Sequence, residues 1–345
     1  MRFGFFDQLP CAPTQSERQR YHDILAQIRL GDEVGFDTVW LGELHFGPST
    51  SIMASPLMVL ATAAQHTERI RLGTAVTLLP LHSPMKMAEE AATADILSGG
   101  RLEFGVGRGT APVHYQGYNV PMEESRERFA EALDVIRTAW TTDRLSYQGK
   151  YFQAEDLPVV PRPIQKPYPP MRMAANSPDT FALAGQLGLS IFASPLINPP
   201  DKLQGYIADY QENLKPGVRP DVALMFPVHV ADSRAQAREE YEPSLMNFFR
   251  AAGERLRPLG KTTIKSYEAF KQVLERLERV TYEGLDKKMG AFGDPDYCIE
   301  RIQHFKQEFP MAEFIGYFNQ GGLVDHAIVK RSMERFAREV IPHCR

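Results

Sequence analysis

The feature that most restricts the fold of this chain is its rhythm, in which short apolar stretches with strand character alternate with longer stretches of helical spacing. Residues 3–7 read as a strand and 17–34 as a helix, with Ile24, Ile28 and Leu30 on one buried face and Gly35 as the stop. Further strands are expected at 38–42, 70–79, 102–106, 172–175, 189–193, 222–230 and 313–317. Helices are expected at 56–65, 84–97, 123–140, 179–187, 202–213, 296–306 and 325–340. The stretch 235–290 is mostly helical and longer than one return helix requires, so it carries an insertion; its charged run KQVLERLERV reads as a solvated helix face. The prolines of LPVVPRPIQKPYPP, near 155–170, oppose helix and interior strand alike. They mark a surface connection within one domain, because the alternation resumes after them.

Short strands separated by helices call for a parallel sheet with helices outside, and eight such units call for closure. The expected fold is therefore α/β, a (β/α)8 TIM barrel with insertions, spanning residues 1–345 as a single domain. The competitor is an open doubly wound sheet, whose dinucleotide-binding glycines would follow the first strand; FDQLPCAPT supplies none. A length of 345 residues suits one large barrel or two smaller domains, so the rhythm decides and the length does not. A net charge of −4 gives no reason to expect a nucleic-acid partner, although a local positive pocket is compatible with it. Cys11, Cys298 and Cys344 show no metal or redox spacing, and an odd count argues against a disulfide framework. The opening MRFGFFDQ turns polar too soon for a signal peptide, and no apolar run is long enough to span a bilayer. A cytoplasmic protein without membrane partners is expected.

In a barrel of this kind the chemistry gathers at the carboxyl ends of the strands. There the sequence places Glu43, Leu44 and His45, then Thr74, Ala75, Val76 and Thr77, then GVGRG at 105–109, then Asn176 and Ser177, and finally Asn319 to Gly322. Glu43 and His45 are two apart, so on an extended backbone they face one way and the acid can fix the imidazole tautomer, while Leu44 faces the other. A histidine satisfied by its neighbour is the plainer alternative. Arg108 sits among glycines, where backbone donors approach an anion closely and a guanidinium grips two of its oxygens. A tight glycine turn explains the same letters without a ligand. Ser177-Pro178 opens a helix whose free amides, with the hydroxyls of Ser177 and Thr180, suit the same anion, a phosphate, provided Asp179 points away; Ser177 acting only as a cap is the alternative. His82 and His114 stand alone in sequence as rim donors. No spacing of histidines and acids asks for a metal, and none is expected.

Several ordered motifs, MRFGFF, GFDTVWLGELHF, IRLGTAVTLLPLHSP, DILSGGRLEFGVGRG, ANSPDTFALAGQLG and NQGGLVDHAIVKRSMERFAREVIP, together resemble the bacterial luciferase-like family of flavin-dependent monooxygenases over nearly the whole chain. The resemblance is weakest in the proline-rich connection and from about 235 to 290. It implies a barrel, usually dimeric, that takes reduced FMN from a separate reductase and uses oxygen on a small or medium organic substrate; related branches use coenzyme F420. The family's phosphate ligands fall on Arg108, Asn176, Ser177 and Thr180. Its flavin platform, often shaped by a non-proline cis peptide, falls on Thr74, Ala75 and Val76. Luciferase proper has two histidines after the acid of the second strand, whereas this chain has Leu44 in place of the first and keeps His45. Luciferase's reactive cysteine position is Gly107 here, which opens room beside the ring and supplies no thiol.

These departures argue against light emission, and the resemblance leaves oxygen insertion as the leading expectation. Glu43, His45, His82 and His114 are the candidate catalytic groups, and Leu44 is the candidate wall of the substrate pocket. The long connection and the insertion are candidate lids. An F420-dependent hydride-transfer enzyme and a flavin-binding barrel without turnover stand as alternatives.

Overall fold

The structure is a computed structural model, which describes residues 1–48, 50–257, 275, 277 and 279–345. Most of the charged run KQVLERLERV lies outside the described residues, as does the central part of the expected insertion. The strands are β1 (Arg2–Asp7), β2 (Thr38–Leu41), β3 (Arg71–Thr74), β4 (Thr77–Leu78), β5 (Leu102–Gly107), β6 (Leu145–Gln148), β7 (Gln153–Leu157), β8 (Met171–Ala174), β9 (Ser190–Ala193), β10 (Val222–Val230), β11 (Ala291–Gly293) and β12 (Glu313–Tyr317). Parallel pairing runs β1–β2–β3–β5–β8–β9–β10–β12 and returns to β1, which closes an eight-stranded barrel. Its principal helices begin with α1 (Glu17–Val34), α2 (Pro56–Ala64), α3 (Pro84–Leu97), α4 (Pro112–Gly117), α5 (Ser125–Thr141), α6 (Pro178–Leu187), α7 (Pro200–Glu212) and α8 (Arg234–Leu256). Helices at Tyr282–Met289, Pro295–Glu308 and His326–Arg335 follow.

Strands buried on both faces explain why the apolar runs do not alternate: all four residues of TVWL in β2 are buried. One face fills the barrel interior, where Phe6, Trp40, Ala223, Ile315 and Tyr317 cluster. Trp40 meets Phe192 edge-on at 4.7 Å between ring centroids. The other face, with Phe3, Phe5 and Val39, packs against the helix layer.

The amino-terminal mouth is closed by charge. The Trp40 indole donates to Glu313 Oε1 at 2.7 Å, while Arg2 and Arg172 approach Glu313 Oε2 at 3.2 and 3.4 Å. Arg2 also reaches Asp221 at 2.8 Å, and Arg71 reaches Glu103 at 2.6 Å. A buried carboxylate is tolerable only with such partners.

The expected strand at 70–79 is two strands, β3 and β4, separated at Ala75 and Val76, whose peptide bond is cis. The short helix α4 and the antiparallel hairpin of β6 and β7 were not expected. The hairpin is short, polar and mostly exposed, so it leaves little hydrophobic signal. The closing helix, expected unbroken at 325–340, changes to a wider turn at Phe336–Val340 and continues at Ile341–Cys344.

Gly105 explains part of GVGRG by packing alone. A Cβ there would lie 1.9 Å from the Thr74 carbonyl oxygen, and Thr74 Oγ1 already donates to the Gly105 carbonyl at 2.7 Å. Gly105→Ala is therefore expected to destabilise the barrel by at least about 1–3 kcal/mol, the scale of core overpacking, because the obstacle is backbone. Urea denaturation checks this, and an unchanged midpoint contradicts it.

Candidate active site

At the carboxyl rim the described residues enclose a cavity of about 220 Å³. Arg108 at the end of β5 forms one end of it, together with Asn176, Ser177 and Thr180 at the junction of β8 and α6. The Ser177 and Thr180 hydroxyls are 2.7 Å apart. Ser177 makes no side-chain cap to a backbone amide of α6, so its hydroxyl joins a side-chain pair instead. Arg126, in the first turn of α5, adds a second cation that the sequence reading missed. It also takes up Asp179, whose carboxylate lies 3.1 Å from Arg126 Nη2 and outside the cavity lining. The Tyr115 hydroxyl donates to the Arg108 carbonyl, which fixes the backbone that carries the guanidinium.

The middle of the cavity is apolar, with Phe6, Ala75, Val76, Leu78 and Met173 in its wall. Thr74 is fully buried in the barrel wall and does not line the cavity, whereas Ala75, Val76 and Gly107 do. The room expected beside Gly107 is already taken: a Cβ there would come 2.5 Å from Val76 Cγ2. The absent side chain makes space for valine.

Glu43 forms the hub of the second polar group. It is 4% exposed, and both His45 Nε2 and His82 Nε2 lie 2.7 Å from its Oε1, while the Leu78 amide donates to Oε2 at 3.0 Å. Burial alone would raise this carboxyl, but the hydrogen bonds from His45 and His82 and the nearby His82 charge outweigh it and hold it at about 2. His82 moves the other way: burial opposes its charge, yet the bond and charge of Glu43 leave it raised. Glu43, His45 and His82 present three possible metal-ligand atoms within 4.8 Å of one another. Each imidazole is already at hydrogen-bond distance from the same carboxylate oxygen, so the cluster is satisfied as a hydrogen-bonded triad.

His45 further connects the hub to α4 and beyond. Its Nδ1 is 3.2 Å from the Tyr118 hydroxyl, and its backbone amide donates to His114 Nε2 at 3.3 Å. That contact makes Nε2 of His114 the acceptor and Nδ1 the protonated nitrogen, and Nδ1 is buried without a partner among the described residues. Burial, with the charges of Arg255 and His45, depresses His114 to about 4, so the ring is neutral near pH 7. Glu43, Leu44 and His114 line the cavity; His45 and His82 meet Glu43 from outside that lining. Arg255 of α8, also missed by the sequence reading, lines it too.

A family model described as luciferase-like monooxygenase matches residues 1–311. The chain is 31% identical to 4-hydroxyprotoasukamycin monooxygenase of Streptomyces nodosus subsp. asukaensis, over 90% of this chain and 83% of that protein. It is 27% identical to the oxygenase component of flavin-dependent trigonelline monooxygenase of Acinetobacter baylyi, over 99% of this chain and 95% of that one. Among solved structures it resembles the oxygenating constituent of 3,6-diketocamphane monooxygenase of Pseudomonas putida, in complex with FMN, with a TM-score of 0.83 and 21% identity over 100% of this chain and 99% of that one.

Proposed function

Since the chain belongs to the luciferase-like monooxygenase family, we propose that it binds reduced FMN in the rim cavity and uses molecular oxygen to oxygenate a small or medium organic substrate. The observation that carries this reading is the pairing of one anion-suited end with an apolar wall in a single cavity. Two guanidiniums, Arg108 and Arg126, the hydroxyls of Ser177 and Thr180 and the Asn176 side chain provide the donor set of a phosphate. The wall of Phe6, Ala75, Val76, Leu78 and Met173 suits a planar ring. The residues present therefore fit the cofactor.

When bound, FMN supplies the electrons and the site at which oxygen is activated. The chain's own residues bind, orient and keep water away. Arg108, Asn176, Ser177 and Thr180 hold the phosphate. Leu44 offers apolar surface and no exchangeable proton, so it dries the substrate side. His114 holds a proton on Nδ1 and is the imidazole that can donate into the cavity, while Glu43 stays ionised and is fixed by His45 and His82.

The test is reconstitution. Purified protein should bind FMN and, given reduced FMN and oxygen-18 gas, incorporate one labelled atom per product. Anaerobic turnover with F420 alone would replace this reading with hydride transfer, and flavin binding without oxygen-dependent product would leave a binding protein. Leu44→His is expected to shift kcat/KM ratios between apolar and polar acceptors by about tenfold, the scale of one altered pocket contact, while moving the FMN Kd less than about threefold. If only FMN binding changes, Leu44 lines the cofactor seat instead.

A separate reductase delivering reduced FMN follows from the same reading, since the trigonelline relative is an oxygenase component. A homodimer is the expected assembly: Met58 of α2 and Ile96 and Leu97 of α3 are exposed by 72%, 42% and 49%, which leaves apolar surface on adjacent helices. A monomer in sedimentation equilibrium throughout the micromolar range contradicts it. No helix among the described residues is long and apolar enough to cross a membrane. The three cysteines are free, which suits a reducing cytoplasm.

A further inference from the structure

Arg255 stands near the carboxyl end of α8, half-buried, and lines the cavity. Among the described residues its buried Nε has no hydrogen-bond partner and no carboxylate forms an ion pair with it. Burial lowers its pKa, opposed only by the neighbouring Tyr317. A guanidinium with a buried Nε and no ion-pair partner among the described residues is costly in a cavity wall unless something that enters matches it. A second donor side chain lines the same cavity: His114, whose Nδ1 has no partner among the described residues and whose ring feels the Arg255 charge. Arg255 and His114 are both donors, complementary to an acceptor-only group, and the Glu43 carboxylate in the same lining is already taken up by His45, His82 and the Leu78 amide. This place is distinct from the Arg108 end. Arg255 also borders a recess with Gln8, Phe248 and Gly321, on the β1 and β12 side, whereas Arg108 and Ser177 follow β5 and β8 across the ring.

We propose that Arg255, with His114 beside it, receives an anionic group of the substrate, so that the acceptor of oxygen is an organic carboxylate or similar anion with an apolar body against Leu44. This rests on the flavin reading, in which FMN occupies the Arg108 end. The fork of a guanidinium matches the two oxygens of a carboxylate, and the enclosed setting strengthens the pair.

Benzoate and its neutral isostere benzamide are the probes, titrated calorimetrically into the FMN-loaded protein and into its Arg255→Gln variant. Wild type is expected to prefer benzoate, the variant to bind it about 10–100-fold more weakly, the range of a lost charge-assisted contact, and benzamide to bind both proteins alike. Arg255→Lys keeps the charge without the fork and should fall between. The melting temperature of Arg255→Gln should stay or rise, because no partner is stranded. Equal benzoate affinity in the two proteins, including no binding by either, overturns the proposal, as does benzamide binding as tightly as benzoate to wild type. Weakened FMN binding with unchanged benzoate binding would assign the guanidinium to the flavin and overturn it too. If FMN fails to bind wild type, the flavin reading fails separately; the same titrations with inorganic phosphate in place of FMN then decide the role of Arg255 by the same criteria.

Discussion

Arg108→Ala is expected to weaken FMN binding by about 10–100-fold while leaving riboflavin nearly unchanged, because the lost charge-assisted bonds go to a phosphate that riboflavin lacks. Arg108 lies at the end of β5 in the same cavity lining as Ser177 and Thr180, so the effect should be local. Its backbone is held by Tyr115, which survives the substitution. Arg126 remains in the lining and keeps part of the attraction, although Asp179 shares its charge. Titration calorimetry with the two ligands separates the cases. Equal losses for FMN and riboflavin would place the guanidinium at the ring and remove the main support for the phosphate end.

Glu43→Ala is expected to cost about 3–5 kcal/mol, the scale for removing one partner of a buried charged pair, since it strands two imidazoles and the Leu78 amide at once. The loss should depend on pH in a stated direction. Glu43 is depressed from 4.5 to about 2, so its contribution is complete above pH 4.5 and disappears as pH falls through about 2. His82 is raised above 6.5, so its contribution is complete below pH 6.5 and fades as pH rises through its folded value. The difference between wild type and Glu43→Ala in urea denaturation should therefore be largest near pH 5–6 and narrow toward pH 9 and pH 2. His114 adds a separate slope to wild type: depressed from 6.5 to about 4, it favours the fold above pH 6.5 and loses that contribution as pH falls through 4. A difference constant from pH 3 to pH 9 would mean that Glu43 acts by packing and not by charge.

How much of this was legible depends on whether a contact is local along the chain. Eight strands could be counted because short stretches of strand character alternate with longer helical ones along the chain, and Glu43 with His45 could be paired because extended backbone fixes the direction of residues two apart. His82 and His114 could be named as rim residues, but nothing in their surroundings revealed that one would share the Glu43 oxygen and the other accept from the His45 amide, since both contacts cross between loops. The break of the third strand at Ala75 and Val76 lies inside a run that hydropathy reads as continuous, and only the family resemblance pointed to a cis peptide there. Arg126 and Arg255 were missed for a further reason: each sits among charged neighbours on a helix, SRER and GERL, where a solvated face is the ordinary interpretation. Only the tertiary placement of α5 and α8 brings those two to the cavity lining, Arg126 at its exposed edge. Gly107 was read as empty space because the sequence does not show that Val76 fills it.

The charged mouth of the barrel also sets an order of events during synthesis. β12 pairs with β1 on one side and β10 on the other, so both of its neighbours leave the ribosome before it does. Until Glu313 emerges, two strand edges stand open, the Trp40 indole lacks its acceptor, and Arg2 and Arg172 lack one of their carboxylates. Closure of the ring therefore waits for β12, whose first residue meets indole and guanidinium donors from three separate strands, and a one-residue slip would carry that carboxylate away from all of them. The nascent chain is most exposed to edge-to-edge association in the interval before β12 arrives.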